Sequence, residues 1–315
     1  MNVRAIAATA ALAAAAVALS ACSPTDTTAG SPVGPDRVIT LSPEPTASPA
    51  HLSAPPSWID VTARGITTQT DTLPPTQYGG VPAPGITMLS DPHGDSWDMC
   101  TLGPAIQKVD GSGEGFATAG HCGEDDPSQR LQLGPDDISD VRAYAALSDI
   151  MNGIDPDSGL LSDSAAAWGG GISEAAVRIA GTWPVAGVLT PDAARNLPPG
   201  VSVCFDGAVS RVVCGPLISD EEDPPRLGDA EDPLLKFAAI SVRGDSGAPV
   251  FLVDGTTGAA TLVGILKGGG NKWLSTATFL DPALTRIGAV ALVDPNAAAT
   301  VAGDPSYSTQ VARLR

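Results

Sequence analysis

The residues that could do chemistry in this chain are few. Of its 315 residues only three are histidines, His51, His93 and His121. His51 lies in a Pro/Ser/Ala-rich stretch and His93 in the polar loop Ser90-Asp91-Pro92-His93-Gly94-Asp95. His121 instead follows the apolar run Gly115-Phe116-Ala117, in the string Thr118-Ala119-Gly120-His121-Cys122. Further on, Ser246 stands between an Asp and a Gly in Gly244-Asp245-Ser246-Gly247-Ala248-Pro249-Val250, too glycine-rich for helix. A serine hydroxyl is a poor nucleophile until a base takes its proton, and a neutral imidazole is the base suited to neutral pH. His121 is therefore the candidate base and Ser246 the candidate nucleophile. Gly244 allows the backbone to turn so that its own N–H and that of Ser246 point at one spot. Such a pair stabilises the oxyanion of an acyl-transfer intermediate, at about 3 kcal/mol per donor lost.

The two strings, in this order, resemble the Thr-Ala-Gly-His-Cys and Gly-Asp-Ser-Gly signatures of chymotrypsin-fold serine proteases, most closely the actinobacterial members. The resemblance spans roughly residues 80–293. It implies two six-stranded antiparallel β-barrels with the site in the cleft between them. It also implies a carboxylate between His121 and Ser246 that opens an apolar strand and fixes the base's tautomer. Asp163 fits best, in Asp163-Ser164-Ala165-Ala166-Ala167-Trp168. Asp149 stays open, although Asn152-Gly153 interrupts its strand, and so does Glu174, whose side chain is one methylene longer. The resemblance further pairs Cys100 with Cys122 and Cys204 with Cys214.

The chain departs from the family pattern at three places. Ala248 stands where a third glycine is common. Lys267-Gly268-Gly269 stands where a Ser-Gly-Gly edge contacts substrate, so Lys267 replaces a serine that would support the triad Asp; its expected course is into solvent. Asp245 is expected to be buried against a cation, Arg211 or Arg243. Ile240 occupies the pocket-base position, which by analogy argues against cleavage after Arg or Lys and for apolar residues. The substrate pocket is accordingly expected at Ile240, Lys267, Gly268 and Gly269.

The elements that must position these residues are strands. Short apolar runs such as Val201–Phe205, Ala208–Val213 and Ala248–Val253 are broken by Gly, Pro and Asp, and Asp254-Gly255 predicts a hairpin before Thr261–Leu266. The fold class is all-β, with a short helix near Pro282–Ile287. Hydrophobic residues make up 43% but aromatics only 4%, so the core must draw on Val, Leu, Ile and Ala. The 35 acids against 17 bases give a net charge of −18 and exclude a phosphate-backbone ligand, which needs clustered Lys and Arg.

Met1-Asn2-Val3-Arg4 and the apolar run Ala5–Ala18 form an export signal too short to span a bilayer. It ends in Leu19-Ser20-Ala21-Cys22, which resembles a lipoprotein cleavage site with Cys22 as the lipidated residue; an ordinary secretory signal is the alternative. Five cysteines suit this reading, since lipidated Cys22 leaves two pairs for an oxidising exterior. No CxxC occurs and the histidines are scattered, so no metal is expected. The expected organisation is a signal at 1–21, a disordered Pro/Ser/Thr-rich tether at 22–77, a first barrel at 78–185, a second at 186–293 and a loose tail at 294–315. The expected activity is hydrolysis of protein or peptide substrates by a monomer that needs no cofactor, touches the membrane through its N-terminal lipid and binds no nucleic acid. The alternative is a catalytically silent binding module at the cell surface.

Overall fold

The computed structural model describes residues 57–66, 76–93, 96–123, 130–134, 138–218, 234–271 and 273–314. The signal, Cys22 and residues 23–56 and 67–75 of the expected tether lie outside the described residues. Strand is the commonest element of the remainder, in two predominantly antiparallel sheets consistent with the expected pair of barrels. The first sheet runs in the spatial order Val311–Arg313, Ala289–Val293, Ala105–Lys108, Glu114–Thr118, Leu161–Ala167, Arg142–Ile154, Arg130–Leu133, Thr87–His93 and Ser96–Thr101. The path of the second is Arg211–Pro216, Ser202–Gly207, Pro249–Val253, Ala260–Asn271, Leu274–Phe279 and Leu235–Phe237, with Trp183–Val188 parallel to Ala260–Asn271.

Local sequence explains the central strands. Pro249–Val253 is buried at every position because its two faces pack into different core clusters, Phe251 and Val253 into one and Val250 and Leu252 into another, so it reads as a continuous apolar run. Its proline is at the first position, where least of the ladder is lost. The hairpin that follows is present, but its loop spans 254–259: Asp254 accepts from the Thr256 N–H at 2.9 Å and the Thr257 hydroxyl at 2.8 Å. The expected helix is Leu280–Ile287, which buries Leu280, Ala283, Leu284 and Ile287 on one face and stops at Gly288, φ 71°. Despite the low aromatic content, Phe116, Phe205, Phe237 and Phe251 are all fully buried. One core cluster joins Ile106, Ala117 and Ala166 of the first sheet to Val188, Phe251, Leu262 and Ile265 of the second.

Three expected boundaries change. Ala289–Val293 pairs with Ala105–Lys108, so these residues join the first sheet rather than the second. The segment after 293 is not loose. Asp294 caps the helix Pro295–Ala298, Leu189 bridges Tyr307, and Val311–Arg313 adds a parallel strand beside Ala289–Val293. That strand covers an otherwise open sheet edge. Residues 57–66, expected in the tether, pack on the second sheet. The Ile59 N–H donates to Val253 O at 3.0 Å, the Ala63 N–H to Val212 O at 2.9 Å, and the Ile66 N–H to Ala180 O at 2.8 Å. Val61 is fully buried in the main core.

Burying a valine side chain stabilises a fold by about 1.5–3 kcal/mol, and here main-chain bonds accompany it. A chain starting at residue 67 should therefore melt at lower temperature than one starting at residue 57, by several degrees in a circular-dichroism scan. Equal midpoints would show that the strap contributes nothing.

Candidate active site

The strand Glu114–Thr118 delivers His121 into the site through the short helical turn Gly120–Gly123. The turn depends on Gly120, since a Cβ there would lie 1.9 Å from Met151 O. The disulfide Cys100–Cys122 ties it to the strand Ser96–Thr101, and Cys204–Cys214 links Ser202–Gly207 to Arg211–Pro216. Both expected pairings are present. Cys100, His121 and Cys122 have the proximity of metal ligands, but both sulfurs are committed to the disulfide.

Asp163, fully buried in Leu161–Ala167, holds His121 twice. Its Oδ1 accepts from the His121 backbone N–H at 2.9 Å, and its Oδ2 lies 2.7 Å from the ring Nδ1. The Asp163 N–H donates to the Thr278 hydroxyl at 2.8 Å, so the second sheet fixes the backbone of this first-sheet residue. Burial by itself would raise the Asp163 carboxyl. The hydrogen bond from the His121 ring, the charge of that ring, the His121 N–H and the Lys267 ammonium outweigh it and hold the carboxyl below its ordinary value. Asp149 is exposed with φ 53° at a bulge, and Glu174 is exposed. Neither carboxylate is on His121.

Ser246 sits half-buried in a pair of turns closed by Asp245 N–H to Val242 O and Ala248 N–H to Asp245 O, both 3.0 Å. Gly244 has φ 103°, and a Cβ on it would meet Val209 Cγ2 at 2.8 Å. Among the described residues, the Gly244 and Ser246 N–H groups donate to no protein acceptor, as an oxyanion site requires. The loop packs directly on the histidine segment: a Cβ on Gly247 would be 2.1 Å from Thr118 Oγ1. Thr101 stitches the two together, donating its N–H to Ser246 O at 2.7 Å and its hydroxyl to Gly244 O at 2.8 Å. The Ser246 hydroxyl donates to Lys267 O at 3.4 Å. Ala248 is fully buried, so the methyl in place of a glycine hydrogen is accommodated.

Two expectations fail here. Among the described residues the fully buried Asp245 has no arginine partner; Arg243 instead pairs with Asp98 at 2.7 Å on the surface. Asp245 accepts from the N–H groups of Val209 (3.0 Å), Ser210 (2.9 Å) and Val242 (2.9 Å) and from the Ser210 hydroxyl (2.6 Å). Four donors satisfy a buried carboxylate without a cation. Lys267 does not run into solvent: its ammonium donates to Asn152 Oδ1 at 2.8 Å and lies 3.5 Å from Asp163 Oδ2. The lysine side chain stays 31% exposed, so the ammonium reaches the buried anion without giving up all of its hydration.

At the expected substrate edge, Gly268 has φ 138° and its Cβ position would be 4.0 Å from Ser246 Oγ, while Gly269 is exposed. Ile240 is 59% exposed and so forms no buried pocket floor; with Val242, 45% exposed, it leaves an apolar surface four to six residues before Ser246. Sequence reasoning missed Thr101, Asn152, Ser210 and Thr278. Their partners are distant in the chain, and no local pattern announces them.

Solved structures similar to this chain include protease A of Thermobifida fusca (20% identical, covering 67% of this chain and 98% of that one, TM-score 0.43). A Nocardiopsis protease (17%, 66% and 96%, 0.43) and the chymotrypsin of Cellulomonas bogoriensis (18%, 67% and 98%, 0.43) are similar to the same degree. No family model matches the sequence, and no curated protein matches it.

A second buried acid adjoins the Asp245 loop. Asp206, 1% exposed, accepts from Gln77 Nε2 at 3.0 Å and the Ala180 N–H at 3.1 Å. Burial, with Asp245 adding to it against these hydrogen bonds, pushes its carboxyl up to about 7. The folded protein then binds this proton more tightly than the unfolded chain. Its contribution lowers stability as pH rises from about 4 to about 7, by about 1.4 kcal/mol per pH unit at most. Asp206→Asn should flatten that decline in urea-denaturation midpoints; an unchanged slope would contradict the assignment.

Proposed function

We propose that this chain is an exported serine endopeptidase of the chymotrypsin type, with Ser246 as nucleophile, His121 as base and Asp163 as orienting carboxylate. The observation that carries the reading is the double grip of buried Asp163 on His121, next to a Ser246 turn with two uncommitted N–H groups. With Nδ1–H directed at Asp163, the other ring nitrogen is left as the acceptor a serine hydroxyl needs. Ser246 Oγ turns from its long contact with Lys267 O, bonds to the substrate carbonyl carbon and passes its proton to His121 Nε2. The tetrahedral oxyanion takes the Gly244 and Ser246 N–H groups. As the C–N bond breaks, His121 gives the proton to the leaving amine, and water then hydrolyses the acyl ester by the same route. These steps need no cofactor.

Exposed Ile240 and Val242 near the serine favour peptides with an apolar residue before the cut. Two disulfides suit an oxidising compartment outside the cytoplasm, and the N-terminal sequence supports lipid attachment at Cys22. One observation favours the second reading, a silent surface binding module: the Ser246 hydroxyl donates to Lys267 O.

The deciding test is labelling of the serine by a fluorophosphonate, located by peptide mass spectrometry. Label on Ser246 that Ser246→Ala abolishes and His121→Ala slows at least about a thousandfold supports the protease. A folded, disulfide-intact protein that takes no label is the binding module.

A further inference from the structure

The candidate triad contains a charge that a Ser-His-Asp mechanism does not require. Asp163 Oδ2, the oxygen that meets the His121 ring at 2.7 Å, also has the Lys267 ammonium at 3.5 Å. Lys267 belongs to the strand Ala260–Asn271, whose carbonyl at the same residue accepts from Ser246 Oγ at 3.4 Å. Its side chain is 31% exposed, against 0% for Asp163 and 34% for His121, so these charges are only partly screened. Asn152, the register partner of Asp163 in the adjacent strand, holds the ammonium in place.

Resting on the proposed protease reading, we infer that Lys267 is a positioning residue that acts through Asp163 to set the pH range in which His121 can serve as base. With neutral His121, the Asp163 carboxylate and the Lys267 ammonium cancel. When His121 takes the Ser246 proton, the cluster gains a net positive charge that it would not carry without the lysine. The arrangement thus keeps Asp163 ionised and directed at the neutral imidazole. Among the described residues, the other charged groups on these elements are directed elsewhere. Asp149, on Arg142–Ile154, is exposed, and with Asp155 it acts on Arg286. Arg286, from the helix Leu280–Ile287, donates to the Ser164 carbonyl and hydroxyl. Asp98 and Arg243 pair with each other.

The test uses the full chain and follows, against pH, the second-order rate of fluorophosphonate labelling at Ser246 and kcat/KM on a peptide with an apolar residue before the cut. Lys267→Met keeps the stem and removes the charge. The acid limb of both profiles should move to higher pH by about half to one unit, the size set by a like charge a few ångströms away after solvent screening. KM should change less than about twofold, because the ammonium is turned toward Asp163. Lys267→Arg, which restores the cation, should return the limb to the wild-type position. A Lys267→Met protein that labels with an unmoved limb overturns the inference and reduces Lys267 to packing. If Lys267→Met does not fold, Asn152→Ala frees the ammonium from its anchor and should move the limb in the same direction by a smaller amount; no movement overturns the inference equally. A wild-type protein that takes no label at any pH marks failure of the protease reading itself, a different result from a labelled enzyme with an unmoved limb.

Discussion

The site depends on burying one carboxylate without leaving it unsatisfied. Asp163 is shut off from solvent, and a charge in that position is costly unless every oxygen finds a donor. The donors come from two places, the turn that carries His121 and the strand that carries Lys267, while the Asp163 N–H itself donates to Thr278 of the second sheet. Satisfying Asp163 therefore requires both sheets to be in register. The same requirement orients the imidazole, so the solution to a stability problem is also the arrangement that the proposed acid–base chemistry needs.

The serine loop rests on a parallel solution. Asp245 is equally buried, and its carboxylate is closed off by the amides of Val209, Ser210 and Val242 and the Ser210 hydroxyl. Those amides belong to two separate loops, so the carboxylate fastens the loop holding Ser246 to the hairpin after Ser202–Gly207. Space at this junction is tight: a Cβ on Gly207 would sit 2.3 Å from Asp245 Oδ1. Amide donors fixed in place serve here where a mobile arginine was expected, and they leave Arg243 free for the surface pair with Asp98.

The polar ends of the domain are folded for a different reason. Neither 57–66 nor 294–314 carries enough apolar surface to form a unit alone, which is why composition suggested a tether and a tail. Each instead borrows existing structure. Val61 enters a core that the sheets have already assembled, and Val311–Arg313 needs only the vacant edge of Ala289–Val293. A single valine or three paired residues suffice when the partner surface is already made. Window-based reading of sequence does not register so small a signal.

Much of the chemistry was nevertheless legible in the chain itself. The flanking residues of His121 and Ser246, the parity of the cysteines, the all-β pattern and the helix before Gly288 are local features, set by residue type and short spacing. Asp163 was legible only as the best of three acids, because an aspartate that opens an apolar strand has the same local pattern whether or not a histidine lies across from it. Tertiary structure decided that Asp163 holds His121, that Asp245 relies on amides, that Lys267 turns inward and that the chain's ends join the sheets. The physical reason is common to all four. Each depends on which buried charge or open edge meets which distant donor, and those meetings exist only after the two sheets have packed.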